Sequence, residues 1–203
     1  MFQTTQIPVG GFDSNFSYLL VCGSDALIVD PCGDVSAIRR AVESLPHAPA
    51  PRYILLTHSH RDHVSGIDEV RRFFSAPVCI SAASAFPCGR KLNDGEHLPL
   101  GAGFVECLAT PGHTPDSMCF RTSDDSALFS GDTLFIGDCG FCKAEPMFQS
   151  MLRLRALPDS LTVYPGHDYG ERPYDTLGHQ KQVNPYLNAP DLNEFRERLK
   201  NLT

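Results

Sequence analysis

The chain has 203 residues, 42% hydrophobic and 20% charged, a balance too apolar for a disordered polymer and sufficient for one buried core, with two full domains not expected. Its 24 acidic and 17 basic residues give a formal net charge of -7, which works against broad attraction to nucleic acid or to anionic membranes. No segment approaches the ~20 apolar residues of a membrane span, and the opening MFQTTQIPVGGFDSN lacks the basic and apolar runs of a secretory leader, so cytoplasmic residence is expected.

The first elements form a hairpin pattern: Phe16 to Cys22, a Gly23-Ser-Asp turn, then Ala26 to Asp30, ended by Pro31. Asp34 or Ser36 caps an expected helix that carries Ile38, Ala41, Val42 and Leu45 at spacings of three and four. Arg52 to Thr57 is a short apolar run suited to a buried strand. Val64, Ile67, Val70, Phe73 and Phe74 follow at helical spacing, which puts His63 near the start of a helix. Pro77 to Ile80 reads as a strand, Pro87 to Gly101 as turns, and Phe104 to Leu108 as extended chain.

Met118 to Thr122 and Ala127 to Ser130 are strand candidates around the polar turn 123–126. Phe148, Met151, Leu152 and Leu154 are spaced for a helix, Leu161 to Tyr164 for a strand, and Asp191 for the cap of a terminal helix with Phe195 and Leu199. The eight cysteines are dispersed and read as free thiols. Cys139 and Cys142 have CxxC spacing, but no second pair completes a zinc knuckle. Strands and helices interleave with several hairpins, which favours an α/β sandwich with helices outside two sheets.

The chemistry concentrates where strands end. His58, His60, Asp62 and His63 lie within THSHRDH, a density of imidazole and carboxylate that is costly to bury without a cation or hydrogen-bonding partners. His113, Asp132 and His167 each follow a glycine at the end of an apolar run, where backbone can approach closely and turn sharply. Seven candidate ligands exceed one tetrahedral site but suit two if a carboxylate bridges them.

THSHRDH, Gly112-His113, Gly131-Asp132 and Gly166-His167 together resemble the metallo-β-lactamase superfamily, especially its glyoxalase II and persulfide dioxygenase branches, over nearly the whole chain. The resemblance implies a four-layer αβ/βα sandwich filling residues 1–203, with a short C-terminal helical tail and the active site along one edge between the sheets. It makes His58, His60 and His113 the ligands of one metal, Asp62, His63 and His167 those of the other, and Asp132 the bridge. The implied hydrolase holds two zinc ions and a hydroxide between them, with Asp62 and Asp132 as its catalytic carboxylates. The dioxygenase branch implies instead one ferrous ion on His58, His113 and Asp132.

GDTLFIGDCG at 131–140 is similar to the glyoxalase II signature, but Phe141 stands where that signature continues with arginine, which removes a bidentate grip on a substrate carboxylate. Lys143 is left as a less directional positive charge. The 165–187 segment resembles the tails of smaller hydrolases, including zinc-dependent hydrolases of polyketide pathways. These likenesses imply an acyl-thioester substrate, on a small thiol or on an acyl carrier protein, with Lys143, Tyr169 and Arg172 as substrate contacts and Asp168 orienting His167. The alternatives are a mononuclear iron persulfide dioxygenase and a metal-stabilised binding protein without turnover. Oligomeric state is not legible in the sequence.

Overall fold

A computed structural model describes residues 1–200, so the last three residues of the expected 1–203 domain lie outside the described part. The strands are β1 (Phe2–Gly10), β2 (Asn15–Cys22), β3 (Asp25–Val29), β4 (Ala50–Leu55), β5 (Val78–Ser81), β6 (Arg90–Leu92), β7 (His97–Leu100), β8 (Gly103–Ala109), β9 (Met118–Thr122), β10 (Ala127–Gly131), β11 (Thr162–Pro165) and β12 (Asp175–Thr176). The helices are α1 (Val35–Glu43), α2 (Arg61–Val64), α3 (Ile67–Val70), α4 (Ala144–Arg155), α5 (Leu177–Val183) and α6 (Leu192–Leu199). They build two six-stranded sheets, ordered β1-β2-β3-β4-β5-β6 and β12-β11-β10-β9-β8-β7.

Side-chain alternation explains the layering, because successive residues of a strand face opposite sides. Tyr18 and Leu20 on β2, Leu27 and Val29 on β3, and Phe120 and Phe129 on the other sheet share one core between the sheets. The intervening Leu19 and Ile28 pack with Ile38 and Val70 of the helices on one outer face. Cys119 and Leu128 pack with Met151 and Phe195 of α4 and α6 on the other. Both faces of the central strands are buried, which makes the four-layer αβ/βα sandwich. Among the described residues no helix is long and apolar enough to cross a membrane.

Several expectations hold and three change. The β2–β3 hairpin forms in antiparallel register, the Asp34 carboxylate caps α1 by accepting from Ser36 N–H at 3.0 Å, and Asp191 caps α6. The helix expected to run on from His63 is instead two single turns, α2 and α3. Gly66 causes the break: its N–H donates to Pro31 O at 2.9 Å, and a Cβ there would lie 2.7 Å from Val35 Cγ2. The stretch read as turns up to Gly101 contains β6 and β7, which close the outer edges of the two sheets. The chain from Leu177 to Val183, not among the expected elements, forms α5 because Thr176 caps it and Leu177 and Gln180 are buried.

The sheets are tied together at one edge. Phe16 N–H donates to Gly166 O at 2.9 Å and Met118 N–H to Thr57 O at 2.8 Å. The fully buried Tyr18 hydroxyl donates to Pro165 O on the opposite sheet and accepts from Gln6 Nε2 at 3.1 Å. Replacing Tyr18 by Phe leaves these groups short of a partner and should lower unfolding free energy by about 1–3 kcal/mol. Urea unfolding checks this: a lower midpoint at unchanged slope is expected, and an unchanged midpoint contradicts the bridging role.

Candidate metal centre

The strand ends just described carry every candidate ligand to one edge. His58, His60, Asp62 and His63 follow β4, His113 follows β8, Asp132 follows β10 directly, and His167 follows β11 after Gly166. Ligand atoms of His58, His60, His113 and Asp132 lie within 4.8 Å of one another, as do those of Asp62, His63 and His167, so each group can hold a metal ion. The two groups meet at Asp132. Its Oδ2 lies 3.8 Å from His58 Nε2, 3.5 Å from His113 Nε2 and 3.3 Å from His167 Nε2, and its Oδ1 lies 3.3 Å from His63 Nε2.

The imidazoles are held by their outward nitrogens. His63 Nδ1 is 2.9 Å from Asp30 Oδ2, His113 Nδ1 2.8 Å from Phe141 O, and His167 Nδ1 2.7 Å from Asp13 O. An Nδ1–H donated to such an acceptor leaves the Nε2 lone pair turned inward, as a metal ligand requires. His58 reaches the same state through Thr57, whose hydroxyl donates to Asp30 Oδ2 at 2.6 Å and sits 3.1 Å from His58 Nδ1. His60 is the exception and turns Nδ1 inward, 2.9 Å from His113 Nε2.

Asp30 is the organising carboxylate that the sequence reading missed. It is buried, has φ 48°, and accepts from the Thr57 N–H at 2.7 Å as well as from the Thr57 hydroxyl and His63. An aspartate closing an apolar strand directly before Pro31 was the available signal. Asn15 is a second positioning group: its Nδ2 donates to Asp62 Oδ2 at 3.0 Å.

Among the described residues, three buried side-chain polar atoms have no hydrogen-bond partner: His58 Nε2 and Asp132 Oδ1 in the ligand groups, and Asp116 Oδ2 outside them. Each such atom costs about 1–3 kcal/mol, and more when charged. Gly166 opens the same space, since a Cβ there would collide with Asp132 Oδ1 and lie 2.8 Å from His63 Cε1. Nitrogen and carboxylate donors are the set that zinc or iron takes, so the residues fit a pair of cations.

The electrostatics separate the two groups. Burial and the neighbouring His63 charge hold His58 well below the usual histidine range, and burial also lowers His113 against the pull of Asp132. Burial opposes charge on His63 too, but the Asp132 and Asp30 carboxylates outweigh it and raise its pKa well above the ordinary value. His167 is raised in the same way, with burial overcome by Asp132. For Asp132, burial is overcome by the His63 charge and by the close approach of the His167 and His63 imidazoles, so its carboxyl stays well below the usual range. Asp62 is likewise lowered, with burial overcome by His63 and Asn15.

The seven proposed ligands therefore converge, whereas the proposed substrate contacts divide. Tyr169 lines the cavity beside the ligands, its ring stacked on His167 at 4.7 Å. Lys143 lies outside that lining: its backbone N–H donates to Gly112 O and begins α4, and its side chain is exposed. Arg172 is also outside, its exposed side chain 3.7 Å from the largely buried Asp175 carboxylate. Asp168 is exposed, and the Asp13 carbonyl takes the His167-orienting part expected of it. Cys139 lines the cavity as a free thiol, and Cys142 is also free.

The family model described as the metallo-beta-lactamase superfamily matches residues 10–92 and 80–167. The chain is 36% identical over 196 residues to the probable polyketide biosynthesis zinc-dependent hydrolase BaeB of Bacillus velezensis, covering 90% of this chain and 85% of that protein. It is 34% identical over 200 residues to the probable hydroxyacylglutathione hydrolase glo2 of Schizosaccharomyces pombe, covering 94% and 76%. The crystal structure of ETHE1 from Myxococcus xanthus superposes with a TM-score of 0.83 at 27% identity, covering all of this chain and 91% of that one.

The electrostatic division gives a pH prediction. A raised pKa means that His63 and His167 must lose a proton before they can ligate, whereas His58 and His113 are already neutral. As pH falls, protons therefore compete first at the Asp62, His63 and His167 group. Metal content measured after dialysis across a pH series should fall in two steps, the first at higher pH, and loss of all metal in one step contradicts the assignment. Gly166→Ala should lower bound metal at neutral pH without unfolding the chain, as read by elemental analysis beside circular dichroism.

Proposed function

The chain belongs to the metallo-β-lactamase superfamily, and from that membership and its two ligand groups we propose that it is a metal-dependent hydrolase acting on an acyl thioester. The observation that carries the reading is the placement of a buried, partner-poor Asp132 carboxylate between two groups of inward-turned donors. His58, His60 and His113 would hold one zinc ion, Asp62, His63 and His167 the other, with Asp132 shared. Zinc bound there supplies Lewis-acid polarisation of a carbonyl and lowers the pKa of water.

The chain's own residues do the rest. Asp30, Thr57, Asp13 O and Phe141 O keep the ligating nitrogens aimed inward. Asn15 holds Asp62, whose side chain keeps 24% exposure and stays ionised, so it can accept a hydrogen bond in the cleft. Hydrolysis adds the oxygen of water to the acyl carbon, breaks the carbon–sulfur bond and leaves a carboxylic acid and a thiol. Both Asp62 and Asp132 are held ionised, so neither is a ready acid for a poor leaving group. A thiolate, with a conjugate pKa near ~8.5, leaves without one, and an amide nitrogen does not.

The relative named for hydroxyacylglutathione hydrolysis supports a thioester of a small thiol, the relative named for polyketide biosynthesis supports zinc-dependent hydrolysis, and a protein-bound arm is the second carrier proposed. The competing reading, one iron on His58, His113 and Asp132, draws on the likeness to the ETHE1 structure and on the placement of these three residues in one ligand group.

Elemental analysis and turnover on one preparation distinguish the two. Close to two zinc ions per chain, with thioester hydrolysis lost on chelation and restored by zinc, is expected; one iron with persulfide-dependent oxygen uptake would overturn the proposal. Asp132→Ala should lower kcat/KM by at least ~100-fold, because it leaves both ligand groups without their shared carboxylate. That loss should exceed the effect of Arg172→Ala, which removes an exposed side chain that lies outside the cavity lining and holds no ligand.

A further inference from the structure

The cavity that opens over the ligand groups has a volume of about 510 Å³, and its charge is one-sided. Among the described residues, no lysine or arginine lines it, whereas Asp13, Asp62, Asp132 and Asp138 do. Asp62 and Asp132 belong to the ligand groups, which leaves Asp13 and Asp138 as carboxylates outside both. The Asp13 carboxylate accepts from the Tyr169 hydroxyl, and Asp138 Oδ1 accepts the Cys139 N–H at 2.7 Å. Neither forms an ion pair with a described residue, and burial raises the Asp138 carboxyl above its ordinary value.

Aromatic faces complete this outer part of the cleft. Phe135 and Tyr169 meet edge to face at 5.1 Å. Tyr169 is 48% exposed, with one face stacked on His167, and Phe141 is 68% exposed, so the Phe141 ring and the free part of the Tyr169 ring present area at the mouth. A carboxylate arm placed there would meet two like charges and no cationic side chain. An ammonium would meet two carboxylates and the negative faces of the rings, the combination that recognises organic cations.

We infer that the cleft selects thioesters whose thiol arm carries a positive charge over those whose arm carries a carboxylate, with Asp138 as a specificity-determining residue. This inference rests on the thioester reading above and names the substrate class within it. Of the residues expected to grip an anionic arm, Lys143 lies outside the cavity lining, and Arg172 lines an adjoining pocket with Asp138 and Tyr169, where it lies 3.7 Å from Asp175.

The test compares two thioesters with the same acyl group, acetylthiocholine and S-acetyl-3-mercaptopropionate, on the zinc-reconstituted chain and on Asp138→Asn. Asparagine keeps a carbonyl acceptor for the Cys139 N–H, so the variant removes charge without removing that bond. The expected result is a cation preference in kcat/KM that falls about tenfold in the variant, equivalent to about 1.4 kcal/mol. Equal or greater turnover of the carboxylate thioester, or a ratio that Asp138→Asn leaves unmoved, would overturn the inference. If neither thioester is hydrolysed, the thioester reading fails by itself. Calorimetric affinities for the matching S-ethyl thioethers, which cannot be hydrolysed, then decide the charge preference: tighter binding of the cationic thioether, weakened by Asp138→Asn, supports it, and no preference overturns it.

Discussion

Burial of the Asp132 carboxylate among imidazole nitrogens is the constraint on which the site depends. The residue is only 7% exposed, and a charge at that depth needs compensation that the protein's own hydrogen bonds leave incomplete. In the metal-free chain, the raised pKa values of His63 and His167 supply part of that compensation. Cations in the two ligand groups would supply the remainder and displace those protons. The surroundings are arranged so that this exchange needs little movement: most imidazoles are anchored on Nδ1, and Gly166 leaves no side chain where Asp132 Oδ1 points.

Fold and site are linked through the two sheet ends. Asp30 ends a strand of one sheet and holds Thr57 and His63, while Asp132 and His167 end strands of the other. Contacts between Phe16 and Gly166 and between Met118 and Thr57 set the separation of those ends. The apolar core between the sheets therefore does more than stabilise the chain, because its thickness determines whether the two groups of donors can share a carboxylate. Metal binding should in turn stabilise the folded state, since the donors converge only there.

Much of this was legible in the sequence because the informative signals are local. Strands such as 118–122 and 127–131 are apolar runs bounded by polar turns, and THSHRDH concentrates four donors in one stretch. The glycine beside each later ligand reflects a real packing need: a Cβ would meet Asp132 Oδ1 at Gly166, lie 2.5 Å from Thr57 Oγ1 at Gly131 and 2.6 Å from Met147 Cα at Gly112. What was not legible depends on tertiary contacts. The turn at Gly66 is imposed by Pro31 and Val35, which lie far from it along the chain. The position of Asp30 before Pro31 marks a strand end but not its bonds to Thr57 and His63, and the places of Lys143 and Arg172 outside the cavity follow from the start of α4 and from Asp175 rather than from sequence distance to a histidine.

The centre and the outer cleft divide the work of recognition. Reactivity belongs to the buried donors, whereas Asp13, Asp138 and the exposed rings of Phe141 and Tyr169 define what can reach them. The most direct test of the shared centre is anomalous diffraction, at the zinc edge, from crystals of the reconstituted chain. The account predicts two peaks in the cleft, one bound by His58, His60 and His113 and the other by Asp62, His63 and His167, with Asp132 in contact with both. A single peak, or metal bound away from Asp132, would contradict it.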